Sequence, residues 1–177
     1  AAMALAWLCG VTNEAIRTAM STFSGIYRRF DFVYTNDKVV YMDDYAHHPG
    51  ELQASISSIR QLYPDRKITG IFQPHLFSRT KDFAREFAES LSALDELILL
   101  DIYPARELPI EGVTSALILK DVSIQHKTLT TKENLLTLLD QKEIDVLVTF
   151  GAGDIDKMVP EIKKYLKERF NNNSEKK

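Results

Sequence analysis

The chain has 177 residues, of which 45% are hydrophobic and 27% charged, and it carries a formal net charge of -3. That size and composition suit one large soluble domain, or one domain with a piece of another, and lie far from the profile of disorder. The charge has no basic block behind it, which argues against nucleic acid and membrane surfaces as partners, and the single cysteine, Cys9, excludes an intrachain disulfide and a cysteine-based zinc site.

The apolar opening AAMALAWLCG lacks the basic start of a signal peptide and runs into a second helical pattern, so it reads as the tail of a helix closed by Gly10. Because the chain starts inside a periodic segment and without an initiator Met, it is expected to be a fragment whose upstream part is missing. Thr12 is placed to cap the next helix, whose Ile16, Ala19, Met20 and Phe23 share one face over residues 13–23, giving a helical hairpin. Two β-rich stretches, 31–35 and 38–42, flank the turn-forming pair Asn36-Asp37. Pro49 suits the first position of a helix that buries Leu52, Ile56, Ile59 and Tyr63.

A strand is expected at 67–72, then one helix from about Arg79 with Phe83, Phe87, Leu91 and Leu94 on one face. The wholly apolar run 97–100 suits a parallel strand covered on both sides. A loop rich in Pro and acidic residues over 101–112 leads to a short helix near 115–120, a weaker strand near 125–129 and a helix at 132–139. The last strand is expected at 146–150, followed by a helix bearing Ile155, Val159, Ile162, Leu166 and Phe170, and by a disordered polar tail at 171–177. Strand-helix alternation of this kind predicts an α/β fold with an open, mostly parallel sheet flanked by helices.

In such a sheet ligands bind just beyond the carboxyl ends of the strands. The unusual residues collect there: DDYAHHP at 43–49, QPHLFSRT at 73–80, DIYPARE at 101–107 and GAGD at 151–154. Pro49 makes His48 the expected N-cap, where unpaired N–H groups and the helix dipole favour an anion, so His48 suits a carboxylate or phosphate ligand. The plainer alternative is a cap and two strand-ending acids, Asp43 and Asp44; five polar or aromatic residues in a row favour a functional site. Arg79 alone reads as a surface residue, but with His75 and His48 it becomes half of an anion clamp, its planar fork matching carboxylate or phosphate.

GAGDID lacks the third glycine of a dinucleotide fingerprint and follows the last strand, so Gly151 and Gly153 are expected to permit close backbone approach. No P-loop pattern occurs. His47, His48, His75 and the acids lack the spacing of H-E-x-x-H, which favours an organic anion over a metal. Nucleophilic catalysis has no support, since G-x-S-x-G is missing and Cys9 lies on an apolar helix.

FSGIYRRF, DDYAHHPGE, FQPHLFSRT, DIYPARE-PI and GAGDI, in that order, resemble the C-terminal domain of a Mur ligase over essentially the whole chain. The resemblance implies that residues 1–24 end a central ATPase domain and that 25–170 form a Rossmann-like, amino-acid-presenting domain packed on the protein's own N-terminal and central domains. It further implies a bacterial cytoplasmic ligase of peptidoglycan precursor synthesis that uses ATP, Mg2+, L-alanine and UDP-N-acetylmuramate. There a muramyl acyl phosphate is attacked by the amine and phosphate is lost from a tetrahedral intermediate. The P-loop and most metal ligands would lie outside this chain, which alone would be inactive and hold neither ATP nor metal tightly.

By the same resemblance, Arg29 reaches the ATP phosphates and Asp44 the nucleotide ribose. His48, His75 and Arg79 form the pocket for the amino acid's carboxylate, and Gly151, Ala152 and Gly153 its backbone wall. Members of the family often read Q-P-H-R-Y-[ST]-R, whereas Leu76 and Phe77 stand here, which leaves more of the carboxylate binding to Arg79. The alternatives are a related ligase that recycles murein tripeptide, a non-catalytic carboxylate-binding module, and a metal-dependent hydrolase using the histidine pair.

Overall fold

A computed structural model describes residues 1–171. The tail expected at 171–177 therefore lies outside the described residues, apart from Asn171, which ends the last helix.

Helix α1 (Ala2–Leu8) stops at Gly10, whose φ of +85° few other residues would accept; Gly10 N–H donates to Trp7 O and Val11 N–H to Ala6 O, each at 3.0 Å. Thr12 Oγ1 then accepts from Ala15 N–H at 3.2 Å and caps α2 (Asn13–Ser21). Neither helix buries a residue, and Met3, Leu5, Trp7, Leu8, Met20 and Phe23 are exposed.

Strand β1 (Asp31–Thr35) runs antiparallel to β2 (Val40–Asp44). Asn36 shapes the turn between them, its Oδ1 accepting from the N–H groups of Lys38 and Val39 at 2.9 and 2.8 Å. β2 starts and ends two residues later than its apolar pattern suggests. Parallel pairing with β6 (Val146–Phe150) carries the ladder on to Asp44↔Phe150, so both acids belong to the strand.

The remaining elements are α3 (Pro49–Leu62), β3 (Ile68–Phe72), α4 (Phe77–Asp82), α5 (Ala84–Leu91), β4 (Glu96–Leu99), α6 (Ala116–Leu119), β5 (His126–Leu129), α7 (Lys132–Asp140) and α8 (Val159–Asn171). One six-stranded sheet has the order β1-β2-β6-β3-β4-β5, and every pairing except β1 with β2 is parallel. On one side Leu52, Ile56 and Ile59 of α3 and Phe87 and Leu91 of α5 pack on Met42, Phe72 and Phe150. On the other, Leu135, Leu139, Ile162 and Leu166 cover Tyr41, Ile71, Ile98 and Leu147. Each such side chain contributes about 1.5–3 kcal/mol by leaving water.

Two expected helices are each divided. The helix expected from Arg79 begins at Phe77 and breaks at Phe83 (φ -120°, ψ 20°), which is both the end of α4 and the cap of α5. The last helix is preceded by a 3-10 turn, Asp154–Met158, because Pro160 has no N–H and its ring would clash with a regular preceding turn.

Candidate functional site

Inserting β6 between β2 and β3 brings the carboxyl ends of β2, β6, β3 and β4 side by side, and with them the four motif segments. At the end of β2, Asp43 is buried: its Oδ2 accepts from Arg28 Nε at 3.1 Å and its Oδ1 from the Thr149 hydroxyl at 2.6 Å. Burial pushes its carboxyl above the ordinary aspartate value, against the opposing pull of Thr149 and Arg28. Asp44 is also nearly buried and is held from within the domain, accepting from Ser55 Oγ at 2.6 Å and Ala46 N–H at 3.3 Å.

The next residues build an aromatic and imidazole cluster. The Tyr45 ring lies 5.0 Å from the Arg29 guanidinium and 5.3 Å from the His47 ring, which it meets edge-on. His47 in turn stands 6.0 Å from the His75 ring, and His75 stacks on Tyr103 at 5.7 Å. Arg79, four residues after His75 and on α4, places Nη1 3.4 Å from His75 Nδ1. Burial, then the charge of Arg79 and the neighbouring His47, lowers the His75 pKa, so the ring is neutral at pH 7. With Nδ1 facing Arg79, the proton belongs on Nε2, where it can be donated to a ligand.

As expected, α3 starts at Pro49 with His48 as its N-cap, and an acid of the helix also serves that end. Glu51 Oε2 accepts from the N–H groups of His47 (3.0 Å) and His48 (3.2 Å), so a carboxylate of the chain itself serves the helix end. Partial burial would raise Glu51, but these bonds outweigh it and hold its pKa low. The His48 ring packs on Phe83 at 5.0 Å and faces a 430 Å³ groove shared with Gln53, Glu86 and Glu89. Of the expected trio, then, His75 and Arg79 come together, while His48 turns away and His47 takes the place beside His75. The extended backbone of His48 (φ -120°, ψ 148°) is the reason, since consecutive side chains on an extended segment point to opposite sides.

The loops are cross-tied by residues that sequence reasoning left without a role. Tyr103 N–H donates to Pro74 O at 2.8 Å and Leu76 N–H to Tyr103 O at 2.9 Å. Glu107 accepts from Ser78 N–H at 2.9 Å and Ser78 Oγ at 2.5 Å, which caps α4 and lowers its pKa. Leu76 sits at φ +73°, an uncommon conformation for a side chain larger than glycine.

Gly153 makes the expected close approach, since a Cβ there would lie 2.6 Å from Gln73 Oε1 and 2.7 Å from Tyr103 Cβ. Gln73 is buried and spans the same turn, accepting from Ile155 N–H and donating to Asp154 Oδ1, both at 2.9 Å. Gly151 and Ala152 complete the turn, Gly151 buried and Ala152 half-buried.

This rim offers guanidinium, imidazole and phenol groups that can bind and orient anions. Among the described residues no group of three or more His, Cys, Asp or Glu side chains is placed to hold a metal ion. A groove of 770 Å³ near Arg60, Arg66 and Lys67 lies at the opposite end of the strands. Its guanidiniums are engaged within the fold, Arg60 with Asp95 at 2.6 Å and Arg66 with Asp145. Among the described residues no helix is long and apolar enough to cross a membrane.

The family described as Mur ligase, glutamate ligase domain, matches residues 28–153. The UDP-N-acetylmuramate--L-alanine ligase of Phocaeicola vulgatus is 56% identical over 163 residues, 92% of this chain and 36% of that protein. Its counterpart in Parabacteroides distasonis is 57% identical over 166 residues, 94% of this chain and again 36% of that protein. The chain thus spans about a third of the length of these curated relatives. Among solved structures, UDP-N-acetylmuramate-alanine ligase from Thermotoga maritima aligns with a TM-score of 0.73 at 24% identity, over 97% of this chain and 36% of that one. A murein peptide ligase from Psychrobacter arcticus aligns at 0.64 and 20% identity, over 93% of this chain and 35% of that one.

Proposed function

From the premise that the chain belongs to the Mur ligase family, matched through the glutamate ligase domain, we propose that it is the amino-acid-presenting C-terminal domain of an ATP-dependent ligase joining L-alanine to UDP-N-acetylmuramate. Residues 1–24 then belong to the end of a central ATPase domain, and their exposed Met3, Trp7 and Phe23 are its contact surface. The protein acts in the bacterial cytoplasm, in peptidoglycan precursor synthesis.

One observation carries this reading: His47, His75 and Arg79 converge where β2 and β3 end, beside the Gly151–Gly153 turn. Arg79 and the neutral His75 grip the alanine carboxylate, which leaves the amine free to face an acyl phosphate delivered from another domain. Holding the two reactants in register replaces a bimolecular encounter, and closing the domain keeps water from the hydrolysable intermediate. Arg29, exposed on the Tyr45 ring, is directed at the ATP phosphates, and Asp44 at the ribose. Asp44 already holds Ser55, so its share in ribose binding uses the remaining acceptor capacity of its oxygens. Mg2+ supplies charge neutralisation at the phosphates when bound, with ligands from outside this chain. The chain by itself is catalytically silent.

In the full-length protein, Arg79→Ala should raise the KM for L-alanine about 10- to 100-fold, because a hydrogen bond to a charged group is worth ~1.5–3 kcal/mol. Steady-state kinetics at saturating ATP measures this, and an unchanged KM removes Arg79 from the pocket.

A further inference from the structure

Adjacent arginines, Arg28 and Arg29, have opposite fates: Arg28 is 9% exposed and Arg29 is exposed. We propose that Arg28 is a positioning residue that clasps the entry segment 26–30 to the ends of β2 and β6 and thereby sets the direction of Arg29. The inference rests on the reading of Arg29 as a phosphate contact.

Arg28 spends its guanidinium inside the domain. Nε meets Asp43 Oδ2 at 3.1 Å, Nη2 donates to Gly151 O at 2.7 Å, and Nη1 lies 3.4 Å from Asp156 Oδ2. Those three acceptors belong to β2, to the turn after β6 and to the 3-10 turn, so one side chain joins three segments of the site. Its charge is offset by two carboxylates and its nitrogens are turned toward acceptors of the domain itself, which separates its role from that of Arg29.

The main chain is held as closely. Tyr45 N–H donates to Arg28 O at 2.7 Å, Arg29 N–H to Ile26 O at 2.9 Å, and Arg28 N–H approaches Asp31 Oδ2 at 3.4 Å. Arg28 and Phe30 both adopt left-handed backbone, φ +58° and +52°, leaving Arg29 between two residues in an unfavourable conformation. Such strain persists only where the surroundings over-determine it, and the Arg28 clasp is what does so here. Both guanidiniums also lie about 5 Å from the Tyr45 ring, at 5.1 and 5.0 Å, so the ring is a common platform for the fixed arginine and the outward one. Lysine cannot reproduce this, because a single ammonium cannot span three acceptors that a planar fork reaches together.

The test uses the full-length protein and compares wild type with Arg28→Lys, which keeps a cation opposite Asp43. The expected result is a fall of about 10- to 100-fold in kcat/KM for ATP, the scale of a group misplaced by about an ångström, with KM for L-alanine within about twofold. Wild-type kcat/KM for ATP in Arg28→Lys overturns the inference, as does equal damage to both substrates with a lowered melting temperature, which marks a general structural role. Should Arg28→Lys fail to fold, Asp156→Asn, at a half-exposed carboxylate, reads the same coupling: a selective loss of about threefold or more for ATP supports it, and no loss overturns it. A wild type without L-alanine-dependent ATP turnover removes the functional reading and this inference with it, whereas an active wild type with an indifferent variant removes the inference alone.

Discussion

Gly153→Ala probes the join between the last strand and the proposed substrate rim. The backbone at Gly153 (φ -84°, ψ -158°) accepts any residue, so the cost is steric. The added methyl would stand 2.6 Å from Gln73 Oε1 and 2.7 Å from both Tyr103 Cβ and Cγ, where contacts below 3.0 Å force something to move. Gln73 cannot yield freely, because its amide holds Ile155 N–H and Asp154, and Tyr103 carries the His75 ring. Overpacking of this kind costs about 1–3 kcal/mol, and a lost buried hydrogen bond adds about 1 kcal/mol. Reduced freedom of the unfolded chain returns about 0.4–1 kcal/mol, leaving a net destabilisation of about 2 kcal/mol. With an m-value of about 2 kcal/mol/M, the urea midpoint of this chain, followed by far-UV circular dichroism, should fall by about 1 M. In the full-length protein the KM for L-alanine should rise with it, because displacing Tyr103 tilts His75. An unchanged or higher midpoint would refute the close approach.

His47→Ala should raise the KM for L-alanine more than His48→Ala does, because only the His47 ring stands beside His75; the reverse order in steady-state kinetics would reassign the pair. Glu96 is buried between Lys67 (2.7 Å) and Lys142, whose hydrogen bonds outweigh the effect of burial and hold its pKa below the ordinary glutamate value. A depressed carboxylate stabilises above its unfolded pKa and ceases to do so as pH falls through its folded value. Glu96→Gln should therefore cost about 2 kcal/mol at pH 7, discounted for the partly exposed lysines, and the difference from wild type should shrink below about pH 4 in urea titrations. A pH-independent difference would mean that packing, not charge, sets the cost.

Much of the sheet is readable from the chain alone. Apolar runs such as 97–100 and 146–150 read as covered strands, and the Asn36-Asp37 and Pro49 signals place a turn and a helix start by local chemistry. The Phe83 break is hidden, because Phe83, Phe87 and Leu91 keep helical spacing across it. The insertion of β6 between β2 and β3 is a long-range pairing that no local pattern encodes. At the site, strand-end position correctly groups the four motifs. Which histidine stands beside His75 depends instead on one extended residue, and the contacts of Tyr103, Glu107 and Arg28 depend on loops that join distant segments. The signal for Arg28 is its place beside Arg29, which by itself does not say which of the two is buried.

The most direct measurement is phosphate release by the full-length protein with ATP, Mg2+ and UDP-N-acetylmuramate, comparing L-alanine, murein tripeptide and no acceptor. Turnover that depends on L-alanine and yields UDP-N-acetylmuramoyl-L-alanine is the predicted result. Turnover with tripeptide alone, or none with either acceptor, would contradict it.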